Sequence, residues 1–230
     1  MTAQEVLAFL AHQRRTVLLG GAAVILHGLS RGTKDFDIWL DPNPDTDTWA
    51  QPIGHLVAQN SSLHLLRVAP QPHLWDPVAL EQLPVVAWED RLIRIGGTDR
   101  PIDVFYIPNE LEVSDFDSVW QRATPMEYGI RLMEEIDLIV TKQLTDRPND
   151  RIDIRFLEDK IEANYRTKLR SCPVEEATQM LARFATPGIA AFAFQEAADP
   201  SVRSLGWKIL NELKVAGDPF ADELVRELGK

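Results

Sequence analysis

The chain has 230 residues, 45% hydrophobic and 26% charged, with a formal net charge of −11 at pH 7. That balance suits an ordinary globular protein with one substantial core or two small domains, and no apolar run approaches the ~20 residues of a membrane-crossing helix. The acidity works against strong nonspecific nucleic-acid binding, which relies on Lys and Arg neutralising phosphates, and the single cysteine, Cys172, cannot close an internal disulfide, which fits a reducing cytoplasm.

Thr2-Ala3-Gln4-Glu5 reads as a capping box rather than a secretory leader, so an amphipathic helix is expected over residues 3–13. A short apolar strand follows at 16–19, then Gly20-Gly21 at a strand-to-helix turn, then a helical stretch from Ala22 to Leu29. Small residues at such a turn let a phosphate approach backbone N–H groups; the plain alternative is a tight turn and nothing more. Neither a dinucleotide-binding glycine motif nor a Walker-type loop is present. A strand is expected at 36–40. Asp35 and Asp37 bracket Phe36, so both carboxylates share one face while Phe36 and Ile38 turn to the core. Two ionised carboxylates held that close repel, and a divalent cation between them relieves the repulsion.

A helix is expected within 45–60, interrupted or started by Pro52, and a strand at 63–68. The proline-rich stretch 69–84 reads as a loop, where Trp75 either packs or stacks on a base. Strands at 91–95 and 101–107 form a hairpin around Gly96-Gly97, and Asp103 near the second strand's start supplies a third carboxylate. A short strand is expected within 126–132. The remainder reads helical: 134–146, 150–170, 173–184, 187–197, 200–215 and 218–229. The composition change divides the chain into an α/β domain, 1–132, and a helical domain, 133–230, with a nucleotide held in or near the cleft between them.

Gly20-Gly21, then Arg31-x-Thr33-x-Asp35-x-Asp37, then Asp103 inside an apolar strand, together resemble the nucleotidyltransferase superfamily of the polymerase-beta type. The AbiEii-like and minimal nucleotidyltransferases are the branch it is most similar to, through Asp137-Leu138, Lys142, Arg147, Asp150 and Asp153; the resemblance covers roughly residues 15 to 160. It implies an α+β nucleotidyltransferase fold, a small mixed sheet flanked by helices, followed by an all-helical C-terminal region. It implies two Mg²⁺ ions on Asp35, Asp37 and Asp103, with Asp103 helping to deprotonate an acceptor hydroxyl. Gly20 and Gly21 would cradle the triphosphate and Lys142 would meet it. The family often carries Ser at the second glycine; Gly21 leaves only backbone contacts. The implied reaction moves a nucleoside monophosphate from a nucleoside triphosphate to a tRNA or protein acceptor, with pyrophosphate released and a cognate antitoxin as partner. An aminoglycoside-like small-molecule acceptor and a non-catalytic binding module are the alternatives.

Some roles stay open on the sequence. Arg31 and Lys34 contact phosphates or form structural ion pairs. Lys142 serves phosphate or pairs with Asp137 or Asp146. Asp150 is expected to cap the last long helix of the motif, and Asp153 to orient Lys142 or stay solvated. His27 reads as a packed, hydrogen-bonded residue. His12, His55, His64 and His73 share no metal-ligand spacing with one another or with Cys172. The basic residues Lys160, Arg166, Lys168 and Arg170 read as a solvated helix face, with an RNA or protein contact as the alternative.

Overall fold

The computed structural model describes residues 1–69, 74–145 and 147–229. It is a mixed α+β chain whose contacts divide into two compact units, Met1–Leu157 and Glu158–Lys230. The elements of the first unit are α1 (Ala3–Gln13), β1 (Thr16–Leu19), α2 (Gly20–Leu26), β2 (Phe36–Leu40), α3 (Thr46–Gln59), β3 (His64–Val68), β4 (Trp75–Val78), α4 (Leu83–Asp90), β5 (Leu92–Gly96), β6 (Ile102–Phe105), α5 (Phe116–Arg122), β7 (Thr124–Pro125), β8 (Ile130–Leu132) and α6 (Glu135–Lys142). Helix α7 (Pro148–Leu169) runs across the division, and α8 (Val174–Arg183), α9 (Pro187–Glu196), α10 (Pro200–Val215) and α11 (Pro219–Leu228) complete the second unit.

One eight-stranded sheet, ordered β4-β3-β5-β6-β2-β1-β8-β7, organises the first unit. It is mixed: β1 pairs antiparallel with β2 and parallel with β8, β2 pairs parallel with β6, and β5 lies antiparallel to β6. The continuous apolar run of β1 is buried throughout, as befits a central strand covered on both faces. Thr2 caps α1 as expected: its hydroxyl accepts from the Glu5 N–H, and Glu5 Oε2 accepts from the Thr2 N–H at 2.8 Å. Val6, Leu7 and Leu10 then face inward.

Several expectations need correction. Pro52 neither starts nor interrupts α3. The helix begins after Asp45, whose carboxylate accepts from the Thr48 N–H at 2.7 Å, and runs through the proline with Trp49, Ala50, Ile53 and Leu56 buried. Burial of that stripe outweighs the hydrogen bond lost at Pro52. The stretch 69–84 is not wholly loop, because β4 pairs with β3 and forms the sheet's edge, the one place where a strand tolerates Pro77. Residues 70–73, including His73, lie outside the described residues. Helices α4 and α5 were not expected. Leu83-Pro84-Val85-Val86-Ala87 begins without a polar cap, so Pro84 in the first turn is its start signal, and in a proline-rich stretch that signal reads equally as loop.

In the second unit α9 and α10 approach closely at Gly206, where a Cβ would lie 2.7 Å from the Ala190 carbonyl oxygen. Ala190, Ala191, Leu210 and Ala221 form its core, and the Phe194 and Trp207 rings pack 4.9 Å apart. Three helices there, α9, α10 and α11, begin with a hydroxyl or acidic cap followed by a first-turn proline, as their sequences predict. No helix among the described residues is long and apolar enough to cross a membrane.

Candidate active site

Strand register gathers the predicted carboxylates. Asp37 on β2 lies opposite Asp103 on β6, and Asp103 lies opposite Arg94 on β5. Directly paired residues put their side chains on the same face, so these three form a row across the sheet. Asp35 sits just before β2, its Oδ1 accepting from the Thr33 hydroxyl at 3.3 Å. Ile38 is fully buried behind the row, as the alternation predicts, while Phe36 is only partly covered.

The glycine pair abuts this row. Gly20 has φ +65°, and a Cβ there would fall 1.9 Å from Asp37 Oδ2. Only glycine serves at that position, for conformation and for space. The Gly21 backbone N–H favours the ionised Asp37 carboxylate, and a Cβ on Gly21 would meet Arg31 Nη2 at 2.9 Å and Thr33 Oγ1 at 3.0 Å. Helix α2 spans only Gly20–Leu26, so its dipole contributes little; close backbone approach is what the glycines provide.

The electrostatics of Asp37 are unusual. Its side chain keeps a little solvent contact but is surrounded by protein atoms. Burial, then the charges of Asp103 and Asp35, push its carboxyl up to about 7, against the pull of Lys142 and the Gly21 N–H. Asp103 is raised too, chiefly by burial, even though Arg94 donates to both its oxygens. Arg94 Nε donates to Asp103 Oδ1 at 2.6 Å, and Nη2 donates to Asp103 Oδ2 at 2.8 Å and to Asp35 Oδ2 at 3.1 Å. Its guanidinium also lies 3.9 Å from the centre of the Trp75 ring, so Trp75 stacks on a cation. Among the described residues no three His, Cys, Asp or Glu side chains form a ready-made ion-holding group.

A second charged cluster stands beside the first. Lys142 is buried, its Nζ 2.7 Å from Asp150 Oδ1 and 2.9 Å from Asp153 Oδ2. Arg31 grips the same fully buried Asp153 with two bonds, Nε to Oδ1 at 2.8 Å and Nη2 to Oδ2 at 2.6 Å. The ion-pair reading of Arg31 is therefore the observed one, and Asp153 does hold Lys142. Asp150 lies in the first turn of α7 rather than capping it, because the helix starts at Pro148, which needs no N–H partner. Burial acts to raise its carboxyl, but bonds from Lys142 and Thr145 and the Lys142 and Arg147 charges hold it below its ordinary value. Asp137 pairs instead with Arg122, at 2.9 Å. Asp146 lies outside the described residues. His27 is packed, its Nε2 2.8 Å from the Met133 carbonyl oxygen.

A cavity of about 950 Å³ joins these groups, lined by Gly20, Gly21, Asp35, Asp37, Asp103 and Lys142 among others. Arg31, exposed Lys34 and exposed Arg147 also border it. All these residues belong to the first unit, since α6 and the start of α7 fall within Met1–Leu157. Another cavity, about 710 Å³, contains the carboxylate of Asp41, already paired with Arg15 at 2.7 Å.

Sequence reading missed Arg94. Its signal is a lone charge in the apolar alternation Leu92-Ile93-Arg94-Ile95 of an internal strand, which demands a partner on the sheet face. Comparison of the chain with family models and with curated proteins finds no match.

Proposed function

We propose that the chain is a Mg²⁺-dependent nucleotidyltransferase acting from the cavity between Gly20-Gly21 and the carboxylate row. The observation that carries this reading is the register pairing of Asp37 with Asp103 directly beside Gly20. The donor set suits Mg²⁺: three hard carboxylates line one cavity, and burial with the charges of Asp103 and Asp35 pushes Asp37 up to about 7, a repulsion that a divalent cation would relieve. Mg²⁺ bound there supplies Lewis-acid stabilisation of the phosphoryl oxygens and acidifies the acceptor hydroxyl.

The chain's own residues do the rest. Gly20 and Gly21 let Asp37, Arg31 and Thr33 pack against the backbone at the cavity wall that a triphosphate would face. Lys34, exposed at the cavity rim, is the cation best able to meet the triphosphate; Arg147, also exposed there, donates from Nε to Asp150 Oδ2 at 2.8 Å. Arg31 and Lys142 are engaged by Asp153 and Asp150, and act first by fixing the floor of the site. Asp103 receives the acceptor proton. The acceptor oxygen forms a bond to the α-phosphorus while the bond to the bridging oxygen breaks, and pyrophosphate leaves.

The resemblance in the carboxylate and Lys142–Asp153 motifs supports a toxin-like enzyme acting on tRNA or protein, held in check by a cognate antitoxin. The net charge of −11 favours a protein or small molecule over a polyanion held by charge alone. The test is incubation with α-labelled nucleoside triphosphate, Mg²⁺ and cell extract. Label transfer by the wild type, abolished by Asp35→Ala and by Asp37→Ala, is expected; undiminished transfer by these variants refutes the assignment.

A further inference from the structure

Two of the three carboxylates, Asp103 and Asp35, already hold a cation, and it is part of the chain. Arg94 spends three N–H bonds on Asp103 and Asp35, the oxygens that a divalent ion would need. A planar guanidinium set in this way meets the two oxygens of Asp103 with two different nitrogens, the parallel fork that a lysine lacks. Resting on the reading of these carboxylates as metal ligands, we propose that Arg94 is an exchangeable internal cation. It holds Asp35 and Asp103 in the metal-free protein and releases them when divalent ions bind.

Three features support exchange over a permanent clamp. Asp37 lies opposite Asp103 yet receives no bond from Arg94, so the single guanidinium leaves one of the three carboxylates outside its bonds. Divalent ions on the same carboxylates would repel a guanidinium that stayed among them, since like charges at that range repel. The Trp75 ring gives the departing guanidinium a face to stay on, 3.9 Å from its centre, so release from the carboxylates does not mean full loss of partners. Exchange keeps the acidic cavity folded before substrate arrives. In return it lowers the apparent metal affinity by the fraction of time Arg94 is out.

The test is Mn²⁺ binding to the full chain, read by the electron paramagnetic resonance of free Mn²⁺, for wild type, Arg94→Gln and Arg94→Lys. Arg94→Gln is expected to bind Mn²⁺ at least about tenfold more tightly than wild type, because no competing cation must leave. Without metal it is expected to unfold at lower temperature, with Mn²⁺ restoring the difference. Arg94→Lys keeps the charge but loses the fork, so it should fold readily and bind Mn²⁺ with intermediate affinity. Equal or weaker Mn²⁺ binding by both variants overturns the inference and makes Arg94 a fixed positioning residue for Asp103. Failure of all three proteins to bind Mn²⁺ overturns the metal reading beneath it as well.

Discussion

Asp37 carries the sharpest residue-scale consequence. Its carboxyl ordinarily titrates at 3.8 and is pushed up to about 7 in the fold. Between those values the native protein binds more protons than the unfolded chain, so without metal its contribution makes stability fall as pH rises from about 4 to about 7. Asp37→Asn removes the ionisation. It should melt higher than wild type at pH 8 in chelator, show no such gain near pH 4, and lose transfer activity. Thermal melts across pH check this; a variant that is less stable at pH 8 would mean the carboxylate is already compensated. By the same linkage, added Mg²⁺ should raise the wild-type melting temperature more at pH 8 than at pH 5.5. Gly20 is the second such residue. Gly20→Ala combines a left-handed backbone with a Cβ 1.9 Å from Asp37 Oδ2, so it should lose about 1–3 kcal/mol from backbone strain alone, measured by denaturant unfolding.

At the scale of elements, α6 and α7 are tied to the loop before β2 by charge rather than by apolar packing alone. Asp153 is fully buried between Arg31 and Lys142. Removing one partner of a buried pair strands the others, so Asp153→Ala should destabilise by about 3–5 kcal/mol in equilibrium denaturation. A loss below about 1 kcal/mol would show that the cluster is well solvated. Asp150 works with the opposite sign from Asp37. Its carboxyl is held low, so the stability it adds is present above pH 3.8 and disappears in acid below that value.

At the scale of the molecule, the legible parts were those with local chemistry. The helices after 173 announce themselves through Asp199-Pro200, Asp218-Pro219 and the Thr186 cap, each of which holds its helix start in the structure. The central strands were legible from apolar runs between glycines. What was hidden depends on pairing at a distance. Strand β4 forms only because β3 offers an edge, α4 starts without a side-chain cap, and Arg94 becomes meaningful only when β5 lies beside β6. The composition break near 132 marks where strands cease, yet the compact units divide inside α7, because Met133 and α6 stay attached to β1 and α2; the Met133 N–H donates to the Leu18 carbonyl at 3.0 Å. Of the site, the carboxylates and glycines were legible as a motif and the Lys142–Asp153 contact as one of two readings, while Asp153 as the shared partner of Arg31 and Lys142 was not.

The most direct test of the central claim follows both ends of the triphosphate. The protein is incubated with Mg²⁺, cell extract and nucleoside triphosphate carrying label at either the α- or the γ-phosphate. Nucleotidyl transfer predicts that α-label becomes attached to an acceptor while γ-label leaves as pyrophosphate, both dependent on Asp37. Attachment of γ-label to the acceptor, or no release of pyrophosphate with any nucleoside triphosphate, contradicts the account.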